Sequence, residues 1–382
     1  MQALLGGKEP QPAAMRRARG RRWRWRWRVG WVLAFGAAVR PASAGQILLD
    51  PWAGAAVVRA ACAQPAQLKA GGRVHLVLFA NGETACSLPG APFPVRDPAA
   101  SESLYAQVAT ACAQAKVPLY VACDLLRWER ADVGRSKVVA DHPDWLEDFP
   151  RDWCQPPTSP DRYVSPHHPQ VQAAIKALLA AVAKLQPRPA GVTLAYRLSD
   201  EVPLGFSVAS RAATIRGHGL DPIDIYSHED WLAYSRWVED AFAAQFKALT
   251  AGLRQAMPGV KVTAWVNGAY HTRPPGDRER TGDNWIRWLT DGAAEDALLD
   301  DQWQVFRRAD EFLLLERMAK TTPALAPLLA KYSILVRMRD AEGKPLHETQ
   351  LRFLKARHAP TGRVTFQPGR PEDLAIAAAY KG

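Results

Sequence analysis

From residue 73 onward the chain alternates short runs rich in β-branched and aromatic residues with longer segments whose apolar positions recur every three or four residues. The runs HLVLFAN (75–81), VPLYVAC (117–123), GVTLAY (191–196), KVTAWVN (261–267), SILVRM (333–338) and RVTFQ (363–367) are predominantly apolar, as strands covered on both faces are. Between the second and third of them, Val171, Ile175, Leu178, Val182 and Leu185 make one apolar stripe of a helix, with Ser165 placed to cap it and Pro166 in its first turn. A second stripe, Trp231, Tyr234, Val238, Phe242, Leu249 and Leu253, follows a Ser227/Asp230 capping box and stops at Pro258-Gly259. A third helix is expected from about Asp283 to Ala297, with Trp285, Trp288 and Leu289 facing inward.

Strands separated by amphipathic helices predict an α/β fold with a parallel sheet. Counting QILLD (46–50) and LLDDQWQV (298–305) as further strands brings the number to eight, that of a closed (β/α)8 TIM-like barrel, complete or irregular. The alternative is an open doubly wound sheet, but no glycine-rich phosphate loop follows any strand. The connections Glu129 to Tyr163 and Ser199 to Tyr226 are long for such a unit. Both follow C-terminal strand ends, where barrel active sites form.

Charge changes the picture through its location. The chain carries +11, a value that by itself suggests nucleic acid or an anionic membrane. Residues 1–44 hold ten basic side chains, five of them in the RRWRWRWR stretch, against the single acid Glu9, and so account for +9 of it, leaving +2 for the rest. The arginines precede an apolar run from Val29 to Val39, Pro41 and then Ala42-Ser43-Ala44 before Gly45. That is the order of a secretory signal with its cleavage site, and the run is well short of the roughly 20 residues of a spanning helix. A cationic membrane-surface peptide is the alternative reading of the Arg/Trp alternation. The division expected is signal peptide 1–44, a lead-in segment 45–72 and a barrel 73–382. The mature chain is then exported, periplasmic or extracellular, with no nucleic-acid partner and no stable membrane anchor. Cys62, Cys86, Cys112, Cys123 and Cys154 show no CxxC or Cys/His spacing, so no zinc site, other metal site or cofactor is expected, and scattered core thiols are the reading they favour.

The segments HLVLFANGETACSLP, PLYVACDLLRWE, HPDWLED, SPHHPQVQAAIKALLAAV, GVTLAYRLSDEVPLGFS, PGVKVTAWVNGAY and NWIRWLTDGAAEDALLDDQW resemble, in order and spacing, the exported glycosyl-hydrolase-like family 10 proteins. These are TIM barrels of the broad α-amylase-like group. The resemblance spans roughly residues 73 to 303. It implies hydrolysis or binding of an envelope or environmental polysaccharide. It also implies an acidic residue at the end of the strand GVTLAY, where this chain has Ala195. Ala195 opens the alternative of a non-catalytic carbohydrate-binding barrel.

Glycosidic cleavage uses two carboxyl groups, one protonated and one ionised. The strand-end acids expected to supply them are Asp124, Asp200 and Glu201, with Asp300 and Asp301 in the ambiguous stretch before Trp303. Asp124 is spaced to pair with Arg127, and Asp200 with Arg197. Aromatic rings cover sugar faces while Asn and Arg bond hydroxyls, which selects Arg127, Trp128, Tyr196, Arg197, Asn267, Tyr270 and Trp303 as substrate-binding candidates. Trp265, inside a strand, suits barrel packing equally well. His142, His167, His168 and His271 suit surface or capping roles better than a metal site. No nucleophile-elbow pattern is present.

Overall fold

The computed structural model describes residues 45–382 except 70–71, 98–102, 148–160, 199–204, 268–281, 301–322, 324–326, 329–330, 341–342, 347–363 and 380–382. The expected signal segment, residues 1–44, lies outside them.

Eight parallel strands close into a barrel: β1 Gln46–Leu49, β2 Arg73–Ala80, β3 Leu119–Asp124, β4 Gly191–Ala195, β5 Lys261–Asn267, β6 Asp296–Asp300, β7 Tyr332–Arg337 and β8 Val364–Gln367. Each pairs with the next in chain order, and β1 pairs with both β2 and β8, so no edge strand is left. The (β/α)8 expectation holds, with QILLD as β1. The boundary near 298–305 moves: β6 begins at Asp296, two residues earlier than expected.

The barrel is filled from both ends by different chemistry. At the strand starts, inward side chains form a polar layer. His75 is linked through Nδ1 to Thr193 Oγ1 (2.7 Å) and through Nε2 to Gln46 Oε1 (2.9 Å), and Thr365 donates to Ser333 (3.1 Å). Arg73 stretches over the Tyr120 ring (4.2 Å) to Asp296 (2.7 Å). Gly191 permits this layer, since a Cβ there would fall 2.1 Å from the Tyr120 ring. Above it, Leu48, Val77, Ala122, Leu298 and Leu335 are buried. Each of the Leu and Val side chains contributes about 1.5–3 kcal/mol on burial.

Helices cover the outside. They include α1 Pro51–Ala63, α2 Leu104–Ala115, α3 Pro169–Val182, α4 Val208–His218, α5 His228–Ala256, α6 Trp285–Thr290 and α7 Pro371–Ala379. The α5 stripe is buried as its spacing predicts, at Tyr234, Val238, Phe242, Phe246 and Leu253, and Ser227 accepts the Asp230 N–H at 3.0 Å as the cap. Two expectations change. α3 starts at Pro169 with His168 at the cap position, while Ser165, buried, bonds the Ser210 hydroxyl (2.7 Å) and accepts the His167 N–H (3.3 Å) ahead of the helix. The third helix is α6 alone. Asp283 accepts the Asn267 N–H (2.8 Å) before it, and Gly292, at φ 68°, turns the chain toward β6 after it.

Candidate active site at the barrel mouth

Alternation along the strands sends Asp124, Ala195, Trp265, Asp300, Arg337 and Gln367 to the barrel lumen at or near the strand C-terminal ends. Asp124 is the register partner of Ala195, and Asn267 of Asp300. The charged groups sort into two chains of ion pairs. In the first, Arg127 donates from Nε (2.9 Å) and Nη2 (2.7 Å) to Asp124 and from Nη1 to Asp161 (3.1 Å). In the second, Arg197 donates to Asp300 (2.6 Å), Arg337 donates to both Asp300 oxygens (3.1 Å each), and the Trp265 indole N–H adds a third donor (3.3 Å). Arg197 also lies over the Trp265 ring at 5.4 Å.

Electrostatics follow from these contacts. Burial on its own would push the Asp300 carboxyl up, but the guanidinium groups of Arg337 and Arg197 outweigh it and hold the group well below the usual carboxylate range. Burial likewise opposes the Arg127 charge, and Asp124, Tyr163 and Asp161 overcome it. Asp300 is therefore a fixed anion between two cations. Its oxygens are occupied, which suits a structural hub rather than a proton donor. Beside the lumen, Asp50 caps α1 through the Trp52 N–H (2.9 Å) and accepts from Arg130 and Gln367 (3.1 Å each).

Not every side chain selected from sequence reaches the mouth. Trp128 is fully buried: its indole N–H goes to the Leu125 carbonyl (2.8 Å), and its ring packs edge-on to Phe79, Phe93 and Trp145. The expectation of a ligand contact there is corrected by that enclosure. Tyr196 is buried as well, its hydroxyl donating to Gln245 (2.7 Å), which in turn meets His167 Nδ1 (3.1 Å). It points out of the lumen into the α5 layer, between Phe242 and Phe246. Burial, with Arg216 nearby, pulls the His167 pKa down to about 4, so the ring is neutral in the physiological range. Trp265, 4% exposed, serves barrel packing and the Asp300 bond. Arg127, Arg197, Asp124 and Asn267 stand at the mouth. Asp200, Glu201, Tyr270, His271, Asp301, Trp303 and Cys154 lie outside the described residues. Arg197, expected to pair with Asp200, is paired with Asp300.

Sequence reading named Asp300 as a candidate acid but not as a hub between two arginines, and it missed Arg337, Asp161 and Glu147. A strand-end rule finds Arg337, the last residue of β7. Glu147 lies within HPDWLED and has no pattern signal for its burial. Its carboxyl accepts from the Ser207 N–H (3.3 Å), the Ser207 hydroxyl (3.2 Å), the Gly205 N–H (3.4 Å) and the Ser210 hydroxyl. Among the described residues no group of three or more His, Cys, Asp or Glu is arranged to hold a metal, and Cys62, Cys86, Cys112 and Cys123 are free thiols.

No protein-family model matches this chain, and no curated protein does. Solved structures do. One is a β-N-acetylhexosaminidase, with TM-score 0.52, 14% identity and coverage of 90% of this chain and 72% of that one. A second is a β-galactosidase from the psychrophilic Marinomonas ef1, at 0.53, 10%, 87% and 58%. A third is a β-N-acetylhexosaminidase from Bacteroides fragilis NCTC 9343, at 0.50, 11%, 88% and 65%. The chain spans less than two thirds of the last two. At these identities the likeness is one of fold alone: the chain is a (β/α)8 barrel of the kind these enzymes carry.

Proposed function

We propose that the protein is an exported glycoside-hydrolase-like barrel that takes an envelope or environmental polysaccharide at the strand C-terminal mouth and cleaves it with two carboxyl groups. The observation that carries this reading is Asp124, a lumen-facing carboxylate at the end of β3, held in place by Arg127 in the site where such barrels do chemistry. Asp124 is assigned the nucleophile or base role of the pair. The proton donor is assigned to Asp200 or Glu201, which follow β4 in sequence, since Asp124 and Ala195 are neighbours across the sheet. Arg197, Asn267, Tyr270 and Trp303 are assigned to hydroxyl and ring contacts with the sugar. Asp300 keeps Arg197 in position.

The test is turnover of the mature chain on a broad glycan panel, beside Asp124→Asn, Asp200→Asn and Glu201→Gln. Loss of either carboxyl role lowers the rate by roughly 10²–10⁴-fold. Absence of turnover on every glycan, or turnover that survives all three changes, defeats the assignment. Ala195, small where the resemblance implies an acid, favours a second reading: saturable glycan binding without cleavage, unaffected by Glu201→Gln and weakened by Arg197→Ala.

A further inference from the structure

We infer that Glu147 is a positioning residue of the mouth, a buried carboxyl group with no counter-ion among the described residues that ties the start of α4 to the hairpin in which Arg127–Glu129 pairs antiparallel with Arg162–Tyr163. Its donors are all neutral: two backbone N–H groups, Gly205 and Ser207, and the hydroxyls of Ser207 and Ser210, with Ser165 bonded to Ser210 behind them (2.7 Å). Ser207 is also the N-cap of α4, so one carboxyl gathers the cap residue, its own N–H and the first turn. On the other side, the Glu147 N–H donates to the Tyr163 carbonyl (2.8 Å), and Tyr163 is the register partner of Arg127. The connection after β3 and the connection after β4 are therefore locked to each other across the seam where Asp124 meets Ala195. The packing leaves no slack: a Cβ on Gly205, itself at φ 107°, would land on the Tyr234 hydroxyl.

The titratable groups around the knot reinforce the argument. Tyr234 faces it from α5, its phenol pushed up by burial and by the nearby Glu147 and Asp221. Asp221 is neutralised by Arg211 of α4 (2.5 Å). Burial pushes the Glu147 carboxyl up, and the hydrogen bonds that it accepts offset only part of it. For a carboxyl raised in the folded state, the tie is strongest on the acid side. As pH rises above the unfolded value of about 4.3, the unfolded chain releases its proton first, and folding weakens by up to about tenfold per pH unit until the folded group ionises too.

The tie serves the glycan site proposed above, but its test uses no glycan, so it stands or falls separately. Urea unfolding and amide hydrogen exchange are compared for the wild type, Glu147→Gln, Glu147→Ala and Ser210→Ala between pH 4 and pH 8. The ratio of wild-type to Glu147→Gln folding constants is expected to fall as pH rises, with protection of the Gly205 and Ser207 amides following it. Glu147→Ala is expected to lose roughly ten- to a hundredfold in protection both there and in the Arg127–Tyr163 hairpin, Glu147→Gln to restore most of it, and Ser210→Ala to lose an intermediate amount. A ratio that stays flat with pH, or hairpin protection unchanged in Glu147→Ala and Ser210→Ala, overturns the proposal.

Discussion

Asp300 shows how one side chain can carry a charge cluster. Two guanidinium groups converge on it, and its own side chain is 6% exposed. Asp300→Asn removes the carboxylate that Arg197 and Arg337 share. It is expected to cost about 3 kcal/mol in urea unfolding, since the largely buried Arg197 guanidinium loses the carboxylate it donates to. The pairing also sets an acid limit. Because the folded Asp300 binds its proton more weakly than the unfolded one, its stabilisation is complete above about pH 4 and is lost as pH falls below that. Asp300→Asn should flatten the wild-type stability curve in that range, and an unchanged slope would contradict the assignment. Trp128 has the opposite character. Trp128→Ala should cost about 3–5 kcal/mol of stability, as truncation of an enclosed aromatic does, rather than a selective loss of ligand affinity. The Asp124–Arg127 pair was legible in the sequence because its members are three residues apart. The Arg197–Asp300 pair spans 103 positions and depends on strands β4 and β6 ending at one rim, which no local pattern reports.

Among the elements, the strand starts carry a prediction that the mouth does not. Burial, with Arg73 adding to it, drives the His75 pKa well below its ordinary value, so the folded barrel holds a neutral ring while the unfolded chain takes up a proton below about pH 6.5. Stability is full above that pH and falls as pH drops, by up to about 1.4 kcal/mol per unit. His75→Asn should remove this slope between pH 6.5 and pH 4.5, measured as the difference in urea unfolding between variant and wild type. At the other end, Gly205→Ala combines a left-handed backbone with a collision at the Tyr234 hydroxyl. It should lower the thermal midpoint by several degrees for a loss of about 1–3 kcal/mol. Helix α5 was readable from end to end because its stripe, its Ser227 cap and its Pro258-Gly259 stop all agree. The α3 start was not: Ser165, ahead of the helix, bonds the hydroxyl of a residue in another helix.

For the molecule as a whole, location of charge decides what the chain is expected to meet. Secretion of the full-length chain from a bacterial host, followed by N-terminal sequencing, is expected to give a mature protein beginning at Gly45. Retention of residues 1–44 would favour the membrane-surface reading of the Arg/Trp segment instead. By itself the sequence determined the strand runs, the helical stripes and hence the parallel α/β architecture, because burial on both faces of a strand and on one face of a helix is written in residue spacing. It also determined that most of the net positive charge, +9 of +11, is concentrated at one end. Tertiary structure alone decided that β1 closes the barrel against β8, that Arg197 serves Asp300, that Trp128 and Tyr196 are walled in, and that Glu147 joins two connections. Each of these depends on which distant residues share a rim, and that is fixed only when the sheet has curled and closed on itself.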